Sequence, residues 1–317
     1  MNTWQFIIEQ YQEGNQVILL YVLESIGSSP GRRGFKMAVS SSGQLYGSIG
    51  GGIMEYKFVE MARSLLNETE TKTAIFRQVH DTDSSTRSGM ICSGEQTIFL
   101  HRIRHKDIPF IQSLVLSLSD RKNGTLKLSR EGIFFENEKP ENQNYILLNR
   151  ENDFLYEETT GYKNILYIIG GGHCSLALSR IMHSMDFYII VLDERTGLNT
   201  MEQNTFADKK ICISSYSLCD QHVIEGNNVY VVIMTFGYRT DDLVVHSLIG
   251  KEFKYIGLLG SANKIKKMYD QYEMEYMDPA WLSKIHSPIG INIKSETVEE
   301  IAVSISAEII SIKNSIQ

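Results

Sequence analysis

From Asn164 onward, short continuously apolar runs alternate with stretches of helical spacing. Asn164–Ile169, Phe187–Leu192, Lys210–Ile213, Val229–Thr235 and Tyr255–Leu259 read as strands. Ser175–Met185, Asn199–Phe206, Asp241–Ile249 and Ala262–Tyr276 read as the helices between them. A strand with no polar alternation is buried on both faces, as in a parallel sheet covered by helices. Thr297–Lys313 sets Ile301, Ile305, Ile309 and Ile312 on one stripe, and Thr297 with Glu300 predicts a capping box at its start. The second half is therefore predicted to be a Rossmann-like domain.

The first half is less regular. Val17–Glu24 is an apolar strand, and Phe35–Val39 and Gln44–Ile49 flank a turn at Ser40–Gly43, which reads as a hairpin. The glycines Gly50–Gly52 open a predicted helix, Ile53–Leu66, with Met54, Phe58, Met61 and Leu65 on one face. Shorter strands are predicted at Ala74–Val79, Thr97–Leu100, Leu126–Leu128, Ile133–Glu136 and Tyr145–Leu148, and the polar stretch Arg150–Gly161 reads as a linker. The fold class expected is α/β, with a mixed α+β domain over residues 1–160 and the Rossmann-like parallel-sheet domain over 161–317.

Length and composition agree with that division. At 317 residues and 42% hydrophobic, the chain has room for about two packed domains. A net charge of -7 argues against a surface devoted to nucleic acid or anionic membrane. Ten of the 13 arginines nevertheless fall before residue 160, where they serve either an anion or simply a solvated surface. The four cysteines (Cys92, Cys174, Cys212, Cys219) form no CxxC pair, so a disulfide framework is not expected. Met1–Gly14 lacks a secretory pattern and no run reaches the roughly 18 apolar residues of a membrane span, so the expected compartment is the cytoplasm.

Three motifs carry candidate chemistry. Gly170-Gly171-Gly172-His173-Cys174-Ser175 lies between a strand and a helix, where glycines let backbone approach a pyrophosphate and the helix N-terminus offers free N–H groups. Asp193 ends the next strand, where a ribose-binding acid belongs, and Ser175 replaces the third glycine. A Rossmann domain that keeps the turn and binds no dinucleotide would carry the same residues. Gly50-Gly51-Gly52, with Glu55 on the following turn, reads as a second anion nest, beside the loop Ser28-Ser29-Pro30-Gly31-Arg32-Arg33-Gly34. Cys92, between small residues in Gly89–Glu95, reads as a nucleophile, sulfur carrier or soft-metal ligand, or else as an inert thiol at a strand edge. Thr235–Asp242 and Leu259-Gly260-Ser261 sit at strand C-termini, and a lone His286 reads as a structural residue. No HExxH, GxSxG or Walker A pattern is present.

As a set these segments resemble the xanthine dehydrogenase accessory family (XdhC/CoxI type). The matching pieces are Gly27-Ser28-Ser29-Pro30 with Gly34 and Lys36, Gly47–Gly52 with Glu55, and the loop around Cys92. In the second half they are Gly170–His173, Asp193-Glu194-Arg195, Met234-Thr235, Asp241, Ile256–Ser261 and His286–Gly290. Ser93 stands where the family's Cys-Gly-Gly loop has glycine, and Phe236-Gly237-Tyr238 stands in place of its His-Gly-His.

The resemblance implies a maturation factor for molybdenum hydroxylases. Such a protein binds the molybdenum cofactor (molybdopterin), protects it during sulfuration by a cysteine desulfurase, and delivers it to the apoenzyme. On this reading Cys92 is the reactive residue. Ser28, Ser29, Arg32, Arg33, Lys36, Gly50, Gly51, Gly52, Glu55, Gly170, Gly172, His173, Asp193, Arg195 and Ser261 contact the cofactor. A homodimer is expected, with no nucleic-acid or membrane partner. The alternatives are an NAD(P)-dependent oxidoreductase using the Rossmann motif, or a non-catalytic nucleotide-binding module.

Overall fold

Residues 2–27, 29–68, 73–80, 94–138, 145–150, 153–185 and 187–315 are described by a computed structural model, in which the chain divides into two compact units, Met1–Gly161 and Tyr162–Gln317.

In the first unit, Asn2 caps helix α1 (Thr3–Gln12) by accepting the Gln5 N–H at 2.9 Å. Strand β1 (Val17–Gly27) is apolar over seven residues because both its faces are buried. Val17, Leu19, Tyr21 and Leu23 enter one core, and Ile18, Leu20 and Val22 enter another. β2 (Lys36–Ser40) and β3 (Leu45–Ser48) form the predicted hairpin, followed by helix α2 (Gly52–Leu66), β4 (Thr73–His80) and β5 (Gly94–Arg102). The sheet is antiparallel, in the order β3-β2-β1-β5-β4.

α2 buries Met54, Phe58, Val59, Ala62 and Leu66 against one face of this sheet. The expected stripe is corrected here: Met61 is exposed and Leu65 is only partly buried, because the helix turns its 58/59/62/66 side to the sheet.

Helix α3 (Ile108–Ser119) precedes a second antiparallel sheet of β6 (Gly124–Ser129), β7 (Gly132–Glu136), β8 (Tyr145–Arg150) and β9 (Asp153–Thr160), in the order β7-β6-β9-β8. Its inner residues share a core with α1, α3 and the other face of the first sheet. The stretch expected as a linker is largely β9, an interior strand. Its acids disguised it. Glu158 is buried and accepts hydrogen bonds from the Tyr21 hydroxyl at 2.8 Å and the Tyr156 hydroxyl at 2.5 Å.

The second unit runs β10 (Asn164–Ile169), α4 (His173–Met182), β11 (Phe187–Asp193), α5 (Asn199–Gln203), β12 (Lys209–Cys212), β13 (Gly226–Ile233) and α6 (Tyr238–Leu248). It continues with β14 (Phe253–Leu258), α7 (Ala262–Met274), α8 (Pro279–Leu282), β15 (Ile285–His286) and α9 (Val298–Asn314). The sheet is wholly parallel, in the order β12-β11-β10-β13-β14-β15. Counted within this unit, that is the 3-2-1-4-5-6 order of a Rossmann fold. α6 and α7 cover one face, and α4 and α9 the other. The predicted capping box forms, with Thr297 and Glu300 exchanging hydrogen bonds at 3.2 Å. Strand order reverses between β10 and β13, so the ligand crevice of this fold opens at their carboxyl ends. Among the described residues no helix is long and apolar enough to cross a membrane.

Candidate functional site

The turn from β10 into α4 uses its three glycines differently. Gly170 has φ +111°, and a Cβ there would run into the Met234 carbonyl at the end of β13. A Cβ on Gly171 would lie 2.5 Å from Cγ of Met201. A Cβ on Gly172 would meet nothing within 4 Å. Packing therefore requires the first two glycines, and the third leaves the head of α4 open. Ser175, in the third-glycine position of the motif, is buried with its hydroxyl unpartnered, so a small side chain fits but its oxygen finds no donor.

Asp193 ends β11 and is fully buried. It accepts the Gly171 N–H at 2.7 Å, the Arg195 N–H at 2.8 Å, and Nε and Nη2 of Arg195 at 2.9 and 2.7 Å. Burial alone would raise its pKa, but these donors outweigh it and hold the carboxyl below the usual 3.8. The acid expected to bind a ribose is thus engaged by its own turn. The Arg195 guanidinium stacks 4.8 Å from the ring of Phe236, which is 60% exposed.

A second carboxylate–cation pair lies at the same edge. Asp241 is fully buried and accepts the N–H of Thr235 at 2.9 Å and its hydroxyl at 2.6 Å, together with Nζ of Lys264. Burial dominates and pushes this carboxyl above its usual range despite Lys264. Lys264 was not among the expected site residues. Its signal was positional: Ser261 caps α7 by accepting the Lys264 N–H at 3.3 Å, which turns Lys264 back toward the loop, where Nζ also reaches the Leu259 carbonyl at 2.9 Å. His286 meets Glu308 at 3.3 Å, beside the Tyr255 hydroxyl bonded to the same carboxylate, in keeping with a structural role.

In the first unit the two glycine loops touch. A Cβ on Gly50 (φ +132°) would lie 2.5 Å from the Gly31 nitrogen, and one on Gly31 would lie 2.5 Å from Nε2 of Gln96. Gln96, another residue that no sequence motif singled out, is fully buried and donates Nε2 to the carbonyls of Gly31 at 2.9 Å and Ile49 at 3.4 Å. The nest at Gly50–Gly52 is filled from within. Glu55 accepts the Ser48 hydroxyl at 2.6 Å and the N–H groups of Ile49 at 2.9 Å and Gly51 at 3.0 Å. Burial opposes ionisation, but those donors hold Glu55 below the usual 4.5.

Ser29 is buried and donates to the Gly31 carbonyl at 2.9 Å. Arg32 is exposed and reaches the Gly27 carbonyl at 3.3 Å. Arg33 lies over the Tyr145 ring at 3.3 Å, and Lys36 donates to the Gly34 carbonyl at 2.9 Å. Ser28 and Cys92 lie outside the described residues. The structure thus gathers Gly170, Gly172, His173, Asp193 and Arg195 around one turn. It gathers Gly50, Gly51, Gly52 and Glu55 around another. Ser261 stands apart from the first group, beyond β14.

A glycine-looped α+β module followed by a Rossmann module with an open α4 turn defines a two-module class of protein. The model of the XdhC and CoxI family matches residues 10–77, and that of the XdhC Rossmann domain matches residues 166–309. The chain belongs to the XdhC and CoxI family.

It is 23% identical, over an alignment of 327 residues, to a Bacillus subtilis protein described as a probable xanthine dehydrogenase subunit, with 94% of each chain covered. It is also 23% identical to the Escherichia coli uncharacterized protein YqeB, covering 92% of this chain and 43% of that protein. Among solved structures it is similar to one described as a xanthine dehydrogenase from Bacillus halodurans, with a TM-score of 0.69 and 22% identity over 100% of this chain and 97% of that one. At that identity the likeness establishes a shared fold.

Proposed function

We propose that the chain is a maturation factor for molybdenum hydroxylases of the xanthine dehydrogenase type. It holds the molybdenum cofactor as cargo, shields it during sulfuration and hands it to the apoenzyme. The observation that carries this reading is the Gly172 turn. It gives open approach to the N-terminus of a ten-residue helix, one carboxylate away from the partly exposed Arg195, and suits the terminal phosphate of molybdopterin. The Phe236 ring, exposed beside Arg195, offers a flat apolar wall. The Gly50–Gly52 nest supports the phosphate less well, because Glu55 already accepts the Gly51 N–H and the Ser48 hydroxyl accepts that of Gly50.

A dinucleotide-dependent oxidoreductase fits more poorly, since the acid that would accept ribose hydroxyls is buried and bonded to Gly171 and Arg195. The partners in the proposed reading are a molybdenum hydroxylase apoenzyme and a cysteine desulfurase, met in the cytoplasm by a homodimer. The names of the matched relatives support the first of these.

The test is gel filtration of the whole chain after incubation with isolated cofactor, with molybdenum measured in the protein peak. Retention is expected. A peak free of molybdenum overturns the reading, as does saturable NADH or NADPH binding at the Gly172 turn that the isolated cofactor fails to displace.

A further inference from the structure

A cleft of about 360 Å³ opens between α4, the segment after α5 and the first turn of α9. Leu176, Ile181, Phe206 and Val298 form its apolar wall. His173 and Arg180, two helical turns apart on α4, and Glu299 on α9 supply its charge. Among the described residues none of these three side chains makes an ion pair or a hydrogen bond. Arg180 instead lies against the Phe206 ring, whose centroid is 5.8 Å from the guanidinium carbon. Glu299 faces the head of α4 closely enough that its charge, after burial, helps push the Cys174 thiol up. An apolar wall with a few convergent polar groups, in a volume of this order, is the usual make-up of a small-molecule site.

The polar groups specify the ligand. A carboxylate only accepts, and two adjacent in-plane N–H donors match its two oxygens; a guanidinium only donates, and an oxo group matches its fork. A simple carboxylic acid would use Arg180 and leave Glu299 opposed, a simple amine the reverse, and a small zwitterion would satisfy both charges but leave the apolar wall of Leu176, Ile181, Phe206 and Val298 uncovered. A flat ring with an N–H pair on one edge and an oxo group on another uses both and lays its face on the apolar wall.

We infer that this cleft recognises a fused 2-amino-4-oxopyrimidine ring, the ring common to pterins and guanine. Glu299 accepts the amino and ring N–H groups, and Arg180 donates to the oxo group. Adenine lacks the adjacent N–H pair. The inference rests on the cofactor reading for the identity of the cargo, whose pterin would occupy the cleft while His173, which borders both, marks the passage to the Gly172 turn.

The test is calorimetric titration of the whole chain with neopterin, guanosine and adenosine. Neopterin or guanosine is expected to bind saturably, at least about tenfold tighter than adenosine, the tighter of the two identifying the natural source. Glu299→Gln and Arg180→Ala should each weaken that binding about tenfold or more. Both side chains are exposed, so the unliganded melting temperature should not move. Equal affinity for adenosine, absence of heat with either ring, or indifference to Glu299→Gln overturns the inference. Molybdenum retained by a chain that ignores neopterin and guanosine would sink the cleft and leave the cofactor reading standing. Ring binding without molybdenum retention would do the reverse.

Discussion

The carboxylate of Asp193 accepts the backbone N–H of Gly171 at 2.7 Å, which ties the end of β11 to the turn at the end of β10. Arg195 closes the other side of the same carboxylate with three further donors. Replacing Asp193 with Ala strands a buried N–H and half of an ion pair, and is expected to cost about 2–4 kcal/mol. Asp193→Asn keeps an acceptor and should cost less. Urea unfolding of the two variants measures both, and a near-neutral Asp193→Ala would contradict the arrangement.

The glycines separate packing from access. Gly31→Ala drives a Cβ into Nε2 of Gln96 and the Ile49 carbonyl, and should destabilise by about 1–3 kcal/mol or more. Gly172→Ala meets no neighbour and has an ordinary φ of -75°, so its stability should stay within about 0.5 kcal/mol of wild type. Its methyl group nevertheless stands where an anion would approach, and cofactor retention on gel filtration should fall. Unchanged retention would move the phosphate elsewhere.

Acid should unfold the protein in two stages. His101 is 1% exposed, with Nδ1 2.8 Å from the Thr73 hydroxyl and Nε2 2.8 Å from Asp107. Burial outweighs Asp107 and holds the imidazole below its ordinary 6.5. A base depressed in the folded state stabilises fully above its unfolded pKa, and that contribution is lost as pH falls below about 6.5. Asp107 and Asp193, held below 3.8, contribute in full above that value and lose the contribution as pH falls through it. Asp241, held above its usual value, runs the other way and blunts the second stage. Melting temperature should decline first near pH 6.5 and again below about 4, and His101→Gln should flatten the first decline. An unaltered pH profile in that variant would remove His101 from the account.

The orientation of α2 can be tested with two neighbours. Phe58 is buried against β1 and β5, and Phe58→Ala should cost about 3–5 kcal/mol. Met61 faces solvent, so Met61→Lys should be nearly silent in thermal denaturation. A large loss in Met61→Lys as well as in Phe58→Ala would restore the stripe expected from spacing alone.

That stripe shows where legibility ended. Continuous apolar runs in the second half marked each long strand of the parallel sheet, because burial on two faces leaves no polar signature to misread. β9 was hidden for the opposite reason. Glu157, Glu158, Thr159 and Thr160 look like solvent-seeking residues, and Glu158 is tolerable inside because Tyr21, far away in sequence, joins Tyr156 in donating to it. α3, in the run IPFIQSLVLSLS, is apolar nearly all round and carries no stripe to read. At the site, the position of Asp193 was readable from its distance along the chain, but its partner was not. Which group an acid faces depends on the twist that brings Gly171 beneath it, and no local pattern encodes that. Gln96 and Lys264 act through carbonyls and carboxylates brought near by the fold, and they escaped for the same reason.

Glu55 gives the Gly50–Gly52 loop a threshold. Because its carboxylate is covalently attached a few residues from the N–H groups it occupies, it acts as a tethered competitor at an effective concentration on the order of millimolar or above. Stray phosphate at lower concentration would be turned away, and only an anion that brings additional contacts elsewhere on its body could displace it.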